Sequence, residues 1–150
     1  KMKQKITLLL IFAGLLSFAQ PPQGGKMRDK IKAQKVAFIT EKLELTTDEA
    51  QKFWPIYNQY EEASNTIKSE YFRPIMRKMR RNQEVSDSEA NSFLEQMIDG
   101  EDKMHQAKQQ LIKNLKSAIP AKKIIRLRVV EDQFNRQLLE RLKKFRGKKD

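Results

Sequence analysis

Apolar residues recur along the chain at intervals of three and four, the spacing of one face of an α-helix. Four such runs stand out. The first spans about Lys26 to Leu43, with Met27, Ile31, Phe38, Ile39 and Leu43 on its stripe. The second spans about Thr47 to Arg81, with Phe53, Tyr57, Tyr60, Ile67, Tyr71, Ile75 and Met79. Pro55 and Pro74 lie inside it; each removes a backbone donor and crowds the preceding turn, so bends are expected there. Because the stripe continues across both prolines, one curved helix is expected. The third run, about Asp87 to Ser117, carries a heptad-like seam of Phe93, Met97, Gly100, Met104, Ala107 and Leu111. The fourth begins at Pro120, a residue suited to a first helical position, and carries Ile124, Leu127, Val130, Phe134, Leu138, Leu142 and Phe145.

Polar residues mark the starts. Thr46 with Glu49, and Ser86 with Glu89, have the spacing of capping boxes. At about 1.5 Å per residue, the second and third helices are each roughly 45–50 Å long. The fold class expected is therefore all-α: four long, partly kinked helices in an elongated, curved, hairpin-like layer. Such a layer leaves one apolar face partly uncovered, so it must dimerise or bind something, and a homodimer is expected.

Composition narrows the chemistry. The 150 residues include no Cys and one His, which excludes disulfides, thiol nucleophiles, Cys-ligated metals and two-histidine zinc motifs. No nucleophile with a base, no Gly-rich phosphate loop and no separated carboxylate pair is present, so no enzyme activity and no cofactor are expected. Glu101 and His105, one turn apart with Asp102 and Met104 adjacent, could supply part of a metal site. No further ligand is identifiable, and an exposed, uncommitted histidine is the commoner case. Met76, Met79, Met97 and Met104 read either as flexible core filler or as an adaptable surface for varied partners.

The first residues read as an address. Lys1, Lys3 and Lys5 precede an apolar run from Ile6 to Phe18, and Ser17-Phe18-Ala19 supplies the small residues of a cleavage site. The run is short for a membrane span, which needs about 20 apolar residues. Cleavage before Gln20 and a periplasmic location are expected. The organisation is then a signal peptide (1–19), a Pro/Gly linker (20–25), one helical domain (26–146) and a basic tail (147–150). Without the three leader lysines, the formal charge falls from +12 to +9.

Charge is sorted along the chain. Between residues 82 and 102 stand seven acids and no Lys or Arg, just after Arg73, Arg77, Lys78, Arg80 and Arg81. Antiparallel packing of the second and third helices would bring these blocks together, each sign at its favourable helix end. The fourth helix differs. Its C-terminal bases sit where the helix dipole favours them, but Lys122, Lys123, Arg126 and Arg128 sit at the end that disfavours cations. They are candidate binding residues, or a merely solvated basic face.

The segment Leu45-Thr46-Thr47-Asp48-Glu49-Ala50-Gln51, followed by Phe53-Trp54-Pro55-Ile56-Tyr57, resembles the LTxxQ motif of the Spy/CpxP-type envelope proteins. A second copy would fall at Ile119-Pro120-Ala121-Lys122-Lys123. The first copy has Glu49 where Gln is the rule, with Gln51 two places on. The second keeps an apolar residue followed by a helix start. The Phe-Trp-Pro variant is similar to members labelled sensors of extracytoplasmic-function sigma factors. The resemblance implies a kinked helical cradle that dimerises and binds unfolded or misfolded envelope proteins without ATP. The alternative is a sensor or regulator of an envelope-stress or metal-stress system, whose partner is a membrane signalling protein. A third possibility, a basic nucleic-acid binder, conflicts with export.

Overall fold

Helices account for nearly all of the residues that the computed structural model describes, which are 23–81 and 83–146. The expected leader (1–19), residues 20–22 of the expected linker and the tail 147–150 lie outside the described residues. The elements are α1 (Gln23–Lys42), α2 (Thr47–Ile67), a π-helical turn (Lys68–Phe72), α3 (Arg73–Arg80), α4 (Asp87–Leu115) and α5 (Ala121–Arg146). Among the described residues there is no strand, as the all-α reading expects. The chain divides within α1 into one unit up to Gln34 and a second from Lys35; the hydrophobic core lies in the second.

Helix α1 starts three residues before the expected Lys26 and takes in Gly24 and Gly25 of the expected linker. Glycine weakens a helix by about 1 kcal/mol but does not stop one as proline does. The other end of α1 closes in a Schellman turn. The Leu45 N–H donates to the Thr40 carbonyl at 3.0 Å and the Glu44 N–H to the Glu41 carbonyl at 3.0 Å. Glu44 occupies the left-handed position of this turn, with φ of 51°. Leu45 is the apolar residue that follows the turn and packs, half-buried, against the core. Leu43, two places earlier, is the residue that is fully buried.

Thr46 then caps α2 through a complete box. Its Oγ1 accepts from the Glu49 N–H at 3.2 Å, and its own N–H donates to Glu49 Oε2 at 2.9 Å. Ser86 is a simpler cap. It accepts from the Glu89 N–H at 3.2 Å, but the Glu89 carboxylate pairs with Lys78 across the helices and does not close the second box. Pro120 also differs from expectation. It lies one place before α5, where its carbonyl accepts from Lys123 and Ile124, so it caps the helix and does not begin it.

Helix α2 runs on through Pro55, whereas the chain changes winding just before Pro74. The Arg73 N–H donates five residues back, to the Lys68 carbonyl, and Pro74 falls in the first turn of α3. Proline has no N–H to offer the carbonyl four places before it, that of Glu70. That carbonyl accepts from Gln96 Nε2 on α4 at 3.0 Å. The expected bend at Pro74 is thus a π turn whose orphan acceptor is satisfied by another helix.

Contacts fix how α4 runs. Lys78 meets Glu89, the Glu70 carbonyl meets Gln96, Tyr71 meets Gly100 and Lys103, and Tyr60 meets Lys108. Residue numbers rise on one side as they fall on the other, so α4 is antiparallel to the α2–α3 run. The core gathers Ile39 from α1, Leu43 from the turn after it, Phe53 and Tyr57 from α2, Leu111 and Leu115 from α4, and Leu127 and Val130 from α5. Phe53 stacks on Tyr57 with ring centroids 5.3 Å apart. Full burial of side chains this size stabilises by about 1.5–3 kcal/mol each. By contrast, Ile75 is the buried side chain of α3.

Candidate functional site

The two motif segments meet at the start of α5. Lys123 Nζ donates to the Glu44 carbonyl and to Glu49 Oε2, both at 2.6 Å. One ammonium therefore ties the Schellman turn of α1, the capping box of α2 and the first turn of α5. The Lys123 hydrogen bond, followed by the Thr46 N–H, holds the Glu49 carboxyl below its ordinary range. A cation at a helix N-terminus is locally unfavourable, and this pairing is the tertiary reason Lys123 stands there. Leu45, Thr46 and Gln51 line a shallow apolar groove beside Trp54 and Pro55, where Trp54 Nε1 donates to Thr40 Oγ1 at 3.2 Å. Ile119 is buried in the core and Pro120 is exposed.

The other bases of this group point elsewhere. Lys122 is exposed. Arg126 lies 3.9 Å from Glu44 and Arg128 lies 3.5 Å from Asp132, both at the surface, where such pairs contribute little. Between them Ile125 is 78% exposed, and Val129, one turn on, is also exposed. The outer face of α5 therefore alternates cations with bare apolar side chains. The methionines separate into two pairs. Met76 and Met79 are exposed on α3, while Met97 and Met104 are half-buried in the α4 seam.

Glu101 and His105 are both exposed on α4. The His105 ring nitrogen Nε2 pairs with Gln109 Nε2 at 2.9 Å; the amide can only donate, so this nitrogen accepts. Among the described residues, no group of three or more His, Asp or Glu is placed to hold a metal ion.

A polar cleft of about 330 Å³ opens beside the core, lined by Tyr60, Ser64, Lys108, Arg128 and Glu131 among others. The Tyr57 hydroxyl donates to Glu131 Oε1 at 2.7 Å, and Lys108 Nζ lies 3.5 Å from Glu131 Oε2. Lys35 pairs with Glu61 and lies over the Tyr57 ring. Burial first, and the Glu131 charge second, push the Tyr57 hydroxyl well above its ordinary value; burial likewise raises Tyr60. Tyr57 therefore stays a protonated donor. The network clamps α2, α4 and α5.

A second basic surface lies on the π turn and α3. Arg73, Arg77, Arg80 and Arg81 surround Met76 beside Phe72 and Lys68. The expected pairing of these arginines with the acidic stretch of α4 does not form; among the described residues of the basic block, Lys78 reaches a carboxylate there. Their four-residue spacing was the available signal: 73, 77 and 81 form one row and 68, 72, 76 and 80 the next.

No family model matches the chain, and no curated protein or solved structure matches it either.

Proposed function

We propose that the protein captures unfolded or misfolded envelope proteins without nucleotide, acting as a periplasmic chaperone-like binding protein of Spy/CpxP type and not as an enzyme. The observation that carries this reading is the outer face of α5. There Ile125 and Val129 stand bare between Lys122, Arg126 and Arg128. Non-native chains offer exposed apolar side chains and carboxylates. Long-range attraction speeds their encounter with a basic face, and short-range apolar contact then holds them. The exposed Met76 and Met79 add side chains that repack around varied sequences. The curved, hairpin-like layer and its pairing with a second copy belong to the same proposal.

Light scattering of an unrelated denatured protein tests it. The purified protein is expected to suppress aggregation at near-stoichiometric ratio with no nucleotide present. Ile125→Ser with Val129→Ser is expected to lose most of this protection. Neutralising Lys122, Arg126 and Arg128 to Gln is expected to slow capture and to flatten its salt dependence. If the wild type gives no protection at several-fold excess, the chaperone reading fails, and a regulator that binds a membrane signalling protein takes its place.

A further inference from the structure

The π turn and α3 carry a charge arrangement that neither the fold nor client capture on α5 requires. Five cations, Lys68, Arg73, Arg77, Arg80 and Arg81, are exposed along one open cleft of about 670 Å³. No carboxylate lines it. Among the described residues, none of the five takes part in an ion pair, whereas their neighbour Lys78 is paired with Glu89. The cleft floor is apolar: Phe72 is half-buried and Met76 is 47% exposed. Met79, on the same short helix, is exposed too.

We propose that this face docks on an anionic lipid surface, with the arginines on headgroup phosphates and Met76 and Phe72 against the boundary of the acyl region. Charge complementarity is the first argument. Clusters of four to eight cations on an amphipathic helix are attracted to anionic membranes, each gaining about 1 kcal/mol near the surface. Chemistry is the second. Four of the five cations are arginine, whose planar fork binds phosphate oxygens in pairs and whose stem can lie along apolar surface. Extent is the third. From Lys68 to Arg81 the helical rise is about 20 Å, so the charges meet a row of headgroups and not one small anion. An acidic polypeptide would pair its carboxylates with the same arginine forks, but it offers no continuous acyl boundary for Met76 and Phe72. The docking face shares Met76 with the proposed client surface, but its test contains no client, so failure of one reading is distinguishable from failure of the other.

Vesicle co-sedimentation at low salt decides the matter. Vesicles of phosphatidylcholine with one third phosphatidylglycerol are expected to carry the wild-type protein down, and pure phosphatidylcholine vesicles are not. Arg73, Arg77, Arg80 and Arg81 replaced together by Gln are expected to weaken binding by up to about a thousandfold. The same four replaced by Lys are expected to bind more weakly than wild type but more strongly than the Gln variant. Neutralising Lys122, Arg126 and Arg128 is expected to change little. Free phosphate at matched ionic strength is expected not to compete. Circular dichroism of each variant checks that its helices are intact. The proposal is overturned if the wild type ignores anionic vesicles, if the folded Gln variant binds as well, or if phosphate displaces the protein. It is also overturned if the Gln variant changes only the oligomeric state, which would assign the face to a second copy.

Discussion

Among the described residues, Glu44 is the one non-glycine residue in the left-handed region of the backbone. An L-residue in the left-handed region costs about 1–2 kcal/mol relative to the right-handed one, and glycine escapes this cost. What Glu44 contributes in return is its carbonyl, which accepts from Lys123, and any residue supplies a carbonyl. Its carboxylate lies 3.9 Å from Arg126 and is exposed, so that pair is worth little. Glu44→Gly is therefore expected to stabilise the protein by about 1 kcal/mol, although it deletes an ion pair. Thr46→Ala, two places on, is expected to do the opposite by about the same amount, because it removes a cap oxygen. Urea melts of both variants check the pair of signs. A destabilised Glu44→Gly would mean that the Arg126 contact outweighs the turn strain. The capping box was legible from Thr46 and Glu49 alone, since both partners lie within one turn. The role of Lys123 was not, because its partner Glu49 is 74 positions away and only the tertiary fold unites them.

At the scale of elements, the contact of α4 with the π turn rests on Gly100. A Cβ at that position would lie 2.7 Å from Tyr71 Cβ and 2.8 Å from Phe72 Cζ. The Phe72 ring end can give way, but Tyr71 Cβ is fixed to its backbone. Gly100→Ala gains about 1 kcal/mol in helix propensity and loses about 1–3 kcal/mol to overpacking. The expected net loss is up to about 2 kcal/mol, read as a lower urea midpoint with an unchanged slope. A more stable variant would show that α4 does not depend on this close approach. The seam from Phe93 to Leu111 could be read from its spacing, and the half-buried and buried positions along it follow that reading. The π turn could not. Local sequence indicated a disturbance near Pro74, but its form depends on Gln96, 26 residues from the carbonyl it satisfies. The second capping box failed for the same reason: the Glu89 carboxylate had a stronger, charged partner in Lys78 than a backbone N–H.

At the scale of the molecule, two exposed apolar stripes remain that the core does not use. One is on α4, where Ile98 is 61% exposed and Leu94 stands one turn before it, among Glu95, Asp99, Glu101 and Asp102. The other is on the second half of α5, where Leu139 and Leu142 are exposed beside Arg136, Lys143 and Lys144. Two α4 faces packed together would oppose acid with acid. A homodimer in which α4 of one copy met α5 of the other would instead oppose acid with base, and two-fold symmetry would make the contact twice. These eight side chains are already about half covered, so burying the remainder yields about 6–13 kcal/mol before costs, against about 4–15 kcal/mol for association. A dimer of moderate affinity is the expected balance, weakened by salt because half of its complementarity is charge. Sedimentation equilibrium across protein concentration is expected to show it, and Leu94→Glu with Ile98→Glu to leave a monomer of unchanged helix content. A wild type that remains monomeric at every concentration removes the dimer from the proposed function. A dimer that survives the double substitution places the interface elsewhere and returns the α4 stripe to the list of surfaces open to clients.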